Sequence, residues 1–172
     1  MKPAKTLLIA VLIASGSLAF AGGDHASGHG HEGENIGKPG VVSKVSRTVT
    51  VDMIDAMRFA PNALTVKQGE TVRFIVKNSG KVKHEFVLGT EEEHKRHYAQ
   101  MMKFPEMEHA DPNMVTVAPG QSGEVIWQFT RAGKVDFACL HPGHYDAGMK
   151  GGIEVVAAKA LAKSEGHGEY KR

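Results

Sequence analysis

The sequence predicts an all-β fold: an antiparallel sandwich or small barrel of seven or eight short strands, interrupted by one short helical insert. Two observations carry this. From about Ser46 onward, apolar and β-branched residues alternate in runs of four to eight, and Gly, Pro and Asn clusters punctuate those runs at regular intervals. A single stretch, "TEEEHKRHYAQMMK", breaks the alternation with a helix-like pattern.

"RTVTVDMID" opens the series as a strand. "MRFAPNALTVKQGETVRFIVKNSG" then reads as strand, Pro61-Asn62 turn, short strand through Leu64 and Val66, "KQGE" turn and a strand from Thr71 to Val76. "HEFVLG" is the next strand. Thr90 followed by three glutamates is a helix N-cap with an acidic first turn, and the helix is expected to run to about Lys103, ahead of Pro105. Strands resume at Met114 to Val117, Glu124 to Thr130 and Lys134 to Ala138, and "KGGIEVV" is the last. Ala157 to Lys163 reads as a short helical or frayed tail.

The ends have a different character. "MKPAKTLLIAVLIASGSLAFAGG" has basic residues, a short apolar run and small residues around Phe20, the layout of a secretory signal peptide spanning residues 1–21. Ser15, Gly16 and Ser17 break a run already short for a membrane span, so no membrane insertion is expected after cleavage. About 150 residues then remain, enough for one domain. The expected location is the periplasm, as an exported soluble protein. The leader, residues 22–43, includes "GGDHASGHGHEGENIGKPG", which is too poor in apolar residues to pack and is expected to be disordered. Its His25, His29 and His31 suit weak capture of copper, nickel or zinc. The domain is expected over residues 44–157 with its insert at 90–112, and residues 158–172, including His167, form a flexible tail.

Charge narrows the partners. Loss of Lys2 and Lys5 with the signal peptide takes the 21 basic residues to nineteen, matching the nineteen acids, and this neutrality argues against nucleic acid. One cysteine cannot form an internal disulfide, so in an oxidising compartment Cys139 is coordinated, buried or a liability.

That cysteine stands in "CLHPGHYDAGM", with His144 after four intervening residues and Met149 after four more. A loop leaving a sheet edge can fold these three around one ion, and His84, opening "HEFVLG" after a turn, is the best placed fourth ligand. Two imidazoles, a thiolate and a weak thioether form the electron-transfer copper arrangement, whose soft sulfurs favour Cu(I) while the imidazoles suit Cu(II). Zinc competes for cysteine and histidine but has little use for the thioether. His141 competes with His144. The reading favours His144, because "HYDAGM" leaves room for a turn before Met149 whereas His141 directly precedes Pro142-Gly143. A Cys-His nucleophilic pair would not call for the methionine, so no enzyme is expected.

From about Ser46 to Val156 the chain resembles the cupredoxins, through "FAPNALTVKQGETVRFIVKNSG", His84 and the C-x4-H-x4-M loop. It is similar in particular to the periplasmic CopI-like copper-resistance cupredoxins, with which it shares "HEFVLG", "PGHYDAGM" and the methionine-bearing "PEMEHADPN". The resemblance implies a Greek-key β-sandwich and a type 1 copper site of His84, Cys139, His144 and axial Met149. Glu85 replaces the asparagine that ties the two ligand loops in many cupredoxins, and His141 inside the loop is unusual. In the insert, His94, His97 and Met101 share a helical face. With Met102, Met107 and His109 they form a candidate second copper cluster, the alternative being that the methionines pack the insert onto the sandwich. The implied function is copper resistance by binding or buffering copper. The alternative is one-electron transfer between periplasmic redox partners, and a redox or copper-handling protein is the expected protein partner.

Overall fold

The computed structural model describes residues 36–105, 107 and 109–158. The expected signal peptide, His25, His29 and His31, and the tail beyond residue 158 with His167 lie outside the described residues.

The described strands are β1 (Lys38–Pro39), β2 (Arg47–Ile54), β3 (Arg58–Ala60), β4 (Ala63–Lys67), β5 (Thr71–Asn78), β6 (His84–Gly89), β7 (Met114–Val117), β8 (Ser122–Gln128), β9 (Gly133–Ala138) and β10 (Lys150–Val156). They form two five-stranded sheets, ordered β1-β8-β5-β2-β3 and β4-β10-β9-β6-β7. Alternation places one side chain in two inside. Val51 and Met53 of β2, Val72, Phe74 and Val76 of β5, Val125 and Trp127 of β8, Val135 and Phe137 of β9, and Ile153 and Val155 of β10 all enter the core between the sheets. Rings of Phe59, Phe74, Phe86, Phe129 and Phe137 meet in that core at centroid separations of 5.1–6.2 Å.

Two expectations need correction. The sheets are mixed, since β2 runs parallel to β5 and β4 parallel to β10. The chain repeatedly crosses from one sheet to the other, so strands close in sequence are separated in space and can return in the same direction. The leader also ends earlier than residue 43. Ile36 is buried, its carbonyl accepts from Trp127 Nε1 at 3.0 Å, and β1 pairs with β8. Val42–Lys44 form a short 3-10 turn. One isoleucine beneath a tryptophan suffices to dock a segment whose composition reads as unfoldable.

The insert is helix α1 (Glu91–Lys103). Its start is fixed by a capping box: Thr90 Oγ1 accepts from Glu93 N, and the Glu93 carboxylate accepts from Thr90 N. Gly89 admits it, because a Cβ there would stand 2.7 Å from His94 Nε2. α1 packs on the outer face of β6 and β9, where Val87, Ala138, Leu140, Tyr145, Met101 and Met114 make a second apolar cluster with Tyr98 beside it. Every residue of β6 is consequently buried. No helix among the described residues is long and apolar enough to cross a membrane.

Candidate metal centre

Strand pairing brings the segments of the candidate ligands together. β6 and β9 are antiparallel with Val87 opposite Ala138, so His84 at the start of β6 and Cys139 just past β9 emerge at the same end of one sheet. β10 pairs on the other side of β9 with Lys150 opposite Ala138, which places Met149 at that end too. The neck of the loop is closed by Cys139 N donating to Met149 O and Met149 N donating to His144 O, both at 3.1 Å.

Within this frame His84 Nδ1 lies 3.2 Å from His144 Nδ1, and His144 Nδ1 lies 3.2 Å from Cys139 Sγ. The donor atoms of His84, Cys139 and His144 all fall within 4.8 Å of one another, the only such grouping of histidine, cysteine and carboxylate donors among the described residues. Three donors about 2.0–2.3 Å from one ion stand roughly 3.5–4 Å apart in a plane, so this set fits a metal with little adjustment. His84, Cys139 and Met149 are fully buried, while His144 is partly exposed. Met149 joins the same core cluster as Cys139.

Electrostatics agree with a cation site. Burial pushes the Cys139 thiol up to about 12, against two backbone N–H groups, of Glu85 and His141, that favour the thiolate. A thiol so buried gives up its proton only to a strong Lewis acid. Burial and then the neighbouring His84 imidazole lower the His144 pKa, keeping its ring neutral with a lone pair to donate. His141 is held down to about 4, first by burial and then by His144. Its ring stands 5.7 Å from that of His144, outside the three-donor set.

The supporting contacts were only partly expected from sequence. Glu85 replaces the asparagine tie with one of its own: fully buried, its Oε1 accepts from Leu140 N at 2.7 Å, joining the segment after His84 to the segment after Cys139. Burial raises its pKa. Asp55 orients His84, its Oδ1 lying 3.2 Å from Nε2, so that Nδ1 faces the other donors. Asp55 is itself held by Lys81 N, and that hydrogen bond is the leading reason its pKa is lowered. Buried Asn78 donates to Val82 O and Val117 O and accepts from Gly80 N, shaping the turn that delivers His84. On the loop side, Gly143 N donates to Tyr98 Oη, whose hydroxyl donates to Asp146 Oδ2, and Arg58 Nη1 donates to Ala147 O.

The expected helical face does not act as one cluster. His94 is buried beside Tyr145, hydrogen-bonds the Val87 backbone and lines a cavity with Glu91, Lys134 and Asp136. Met101 is buried, Met102 is exposed, and His97 meets the His109 ring at a centroid distance of 4.5 Å.

A mixed-sheet β-sandwich with imidazoles, thiol and thioether gathered at one end is the architecture of a copper-binding cupredoxin. Residues 45–156 match the copper binding proteins, plastocyanin/azurin family, and the chain belongs to that family. It is 49% identical over 160 residues to the copper-resistant cuproprotein CopI of Rubrivivax gelatinosus, covering 90% of this chain and 96% of that one. It is 38% identical over 180 residues to CopI of Pseudomonas aeruginosa, covering 88% and 97%. Among solved structures, the auracyanin of the photosynthetic bacterium Roseiflexus castenholzii superposes with a TM-score of 0.58 at 23% identity, over 65% of this chain and 98% of that one, a likeness of fold.

Proposed function

We propose that this protein contributes to copper resistance in the periplasm by binding or buffering copper at a type 1-like site of His84, Cys139 and His144, with Met149 as the axial ligand. The observation that carries this reading is the convergence of one thiol and two imidazole Nδ1 atoms within 4.8 Å at the end of a rigid sheet. It is supported by relatives named as copper-resistant cuproproteins across nearly their whole length, and by the signal-like residues 1–21.

Bound here, copper would accept and release one electron in a mixed sulfur and nitrogen environment. The chain's own residues do the rest. Asp55 fixes the tautomer and tilt of His84. The N–H groups of Glu85 and His141 stabilise the thiolate sulfur. The aromatic and aliphatic core behind Cys139 excludes water from it. A role as electron carrier is the second reading, favoured by His144, the one ligand with solvent exposure and thus the route by which a partner would exchange an electron.

The test is titration of the mature protein with Cu(II), followed by optical and paramagnetic resonance spectra and metal stoichiometry on the same samples. Intense thiolate-to-copper absorption with narrow copper hyperfine splitting is expected, and Cys139→Ser should abolish the band while leaving the β-sheet circular dichroism in place. Retention of the band in Cys139→Ser would overturn the ligand assignment. Copper-sensitive growth of a deletion strain, restored by the wild-type gene, would separate resistance from simple electron carriage.

A further inference from the structure

Beside the first site lies a second group of soft and imidazole donors that the ligand set leaves unused. A cavity of about 230 Å³ is lined by Met101, Met107, His109 and His141, with Glu85 and Lys83 at its wall. Both ring nitrogens of His109 and Nε2 of His141 are buried without a hydrogen-bond partner in the protein. Buried imidazole nitrogens ordinarily find such partners, so three in one place call for a ligand. The methionines lie on different segments: Met101 is at the last turn of α1 and Met107 follows Pro105, so the chain bends back to bring both to one cavity.

We propose that this cavity is a second copper site, selective for Cu(I), formed by the thioethers of Met101 and Met107 with the imidazoles of His109 and His141. The donor set decides the ion. Among the described residues, no three imidazole, thiolate or carboxylate donors stand close enough here to hold one ion by themselves. Two thioethers with imidazole nitrogen suit a soft monovalent cation, whereas zinc and Cu(II) gain little from them. The Glu85 carboxylate lines the same wall as the Lys83 ammonium and offsets its charge.

The position adjoins the first centre. The ring of His141 is 5.7 Å from that of His144, and the backbone N–H of Glu85 donates to Cys139 Sγ at 3.4 Å. The inference goes beyond the proposed function, because it assigns copper to residues outside the His84, Cys139, His144 and Met149 set. It would stand even if that set served electron transfer.

The experiment is an anaerobic titration of the full mature chain with Cu(I) against the chromophoric chelator bicinchoninate. Wild type is compared with Met107→Leu/His109→Gln, the leader histidines being present in both. The expected result is one fewer tightly bound Cu(I) per chain in the double variant, with the Cu(II) thiolate band unchanged in position and intensity. The single variants Met107→Leu and His109→Gln, at exposed and half-buried positions, should each weaken one Cu(I) site at least about tenfold. An unchanged Cu(I) count would overturn the proposal. So would joint loss of the Cu(I) equivalent and the thiolate band, which would assign these residues to a single centre.

Discussion

Glu85→Ala removes the carboxylate bridge from the segment after His84 to the segment after Cys139. In the native protein Glu85 Oε1 accepts from Leu140 N at 2.7 Å, and both residues are buried. The alanine variant leaves the Leu140 N–H without a partner, a cost of about 1–3 kcal/mol for a buried donor. It also removes one buried methylene, worth about 0.8 kcal/mol. Part is returned because a carboxylate whose pKa is raised by burial no longer has to be desolvated. The net expectation is a loss of about 2 kcal/mol. Glu85→Gln keeps a carbonyl for Leu140 N and can turn its amide toward the cavity that Glu85 lines, so its loss should stay within about 1 kcal/mol. Urea unfolding of the metal-free protein at neutral pH reads both: the alanine midpoint should fall by about 1–2 M at constant slope, the glutamine midpoint by less than half of that. An alanine midpoint equal to wild type, or a glutamine midpoint as low as alanine, would refute the bridge.

Three further outcomes follow from named contacts. Asp55→Ala frees His84 Nε2 and should lower Cu(II) affinity about 10–100-fold with the thiolate band still present, as read by competition titration; unchanged affinity would remove Asp55 from the site. Tyr98→Phe deletes the hydroxyl that accepts from Gly143 N and donates to Asp146, so amide exchange at Gly143 should accelerate and stability fall by about 1 kcal/mol; an unaltered exchange rate would sink it. His94 has its pKa lowered to about 4, chiefly by burial and against the opposing pull of Asp136 and Glu93. Its contribution is therefore complete above the unfolded value of 6.5 and is lost as pH falls toward 4, by up to about 3 kcal/mol. Metal-free wild type should destabilise more steeply across that window than His94→Gln, and parallel profiles would show that His94 does not titrate with unfolding.

What the sequence made legible was local. The Thr90 and Glu93 pair announces the helix start because both halves of a capping box lie within four residues. The spacing of Cys139, His144 and Met149 marks out the candidate metal loop for the same reason, since one turn carries three potential donors. Asp55, Asn78, Arg58 and Tyr98 gave no such signal. Each has a partner far along the chain, 29, 39, 89 and 48 positions away, and only the fold brings these pairs together. Glu85 was visible as a departure from the asparagine pattern, yet its bond to Leu140 follows from the pairing of β6 with β9, which no residue pattern encodes. Ile36 was hidden for the opposite reason: one apolar residue among glycines carries no periodicity, and the Trp127 that receives it is 91 positions on.

The helical insert shows why the site cannot be described by its loop alone. Val87, Ala138, Leu140 and Tyr145 stand on the face of β6 and β9 opposite the sandwich core, and without α1 that face would meet water. Covering it does two things at once. It buries β6 on both sides, so the strand that begins with His84 and Glu85 has no solvent-facing edge along which to relax. It also sets Tyr98 over the ligand loop, where the hydroxyl holds Gly143 and Asp146 on either side of His144. Of the proposed ligands, His84 is thus held from the strand and His144 from the helix, and the same helix turns Met101 toward the cavity beside them. A change in the insert that preserves its apolar face but loosens its last turn should therefore disturb the second cavity before it disturbs the thiolate centre.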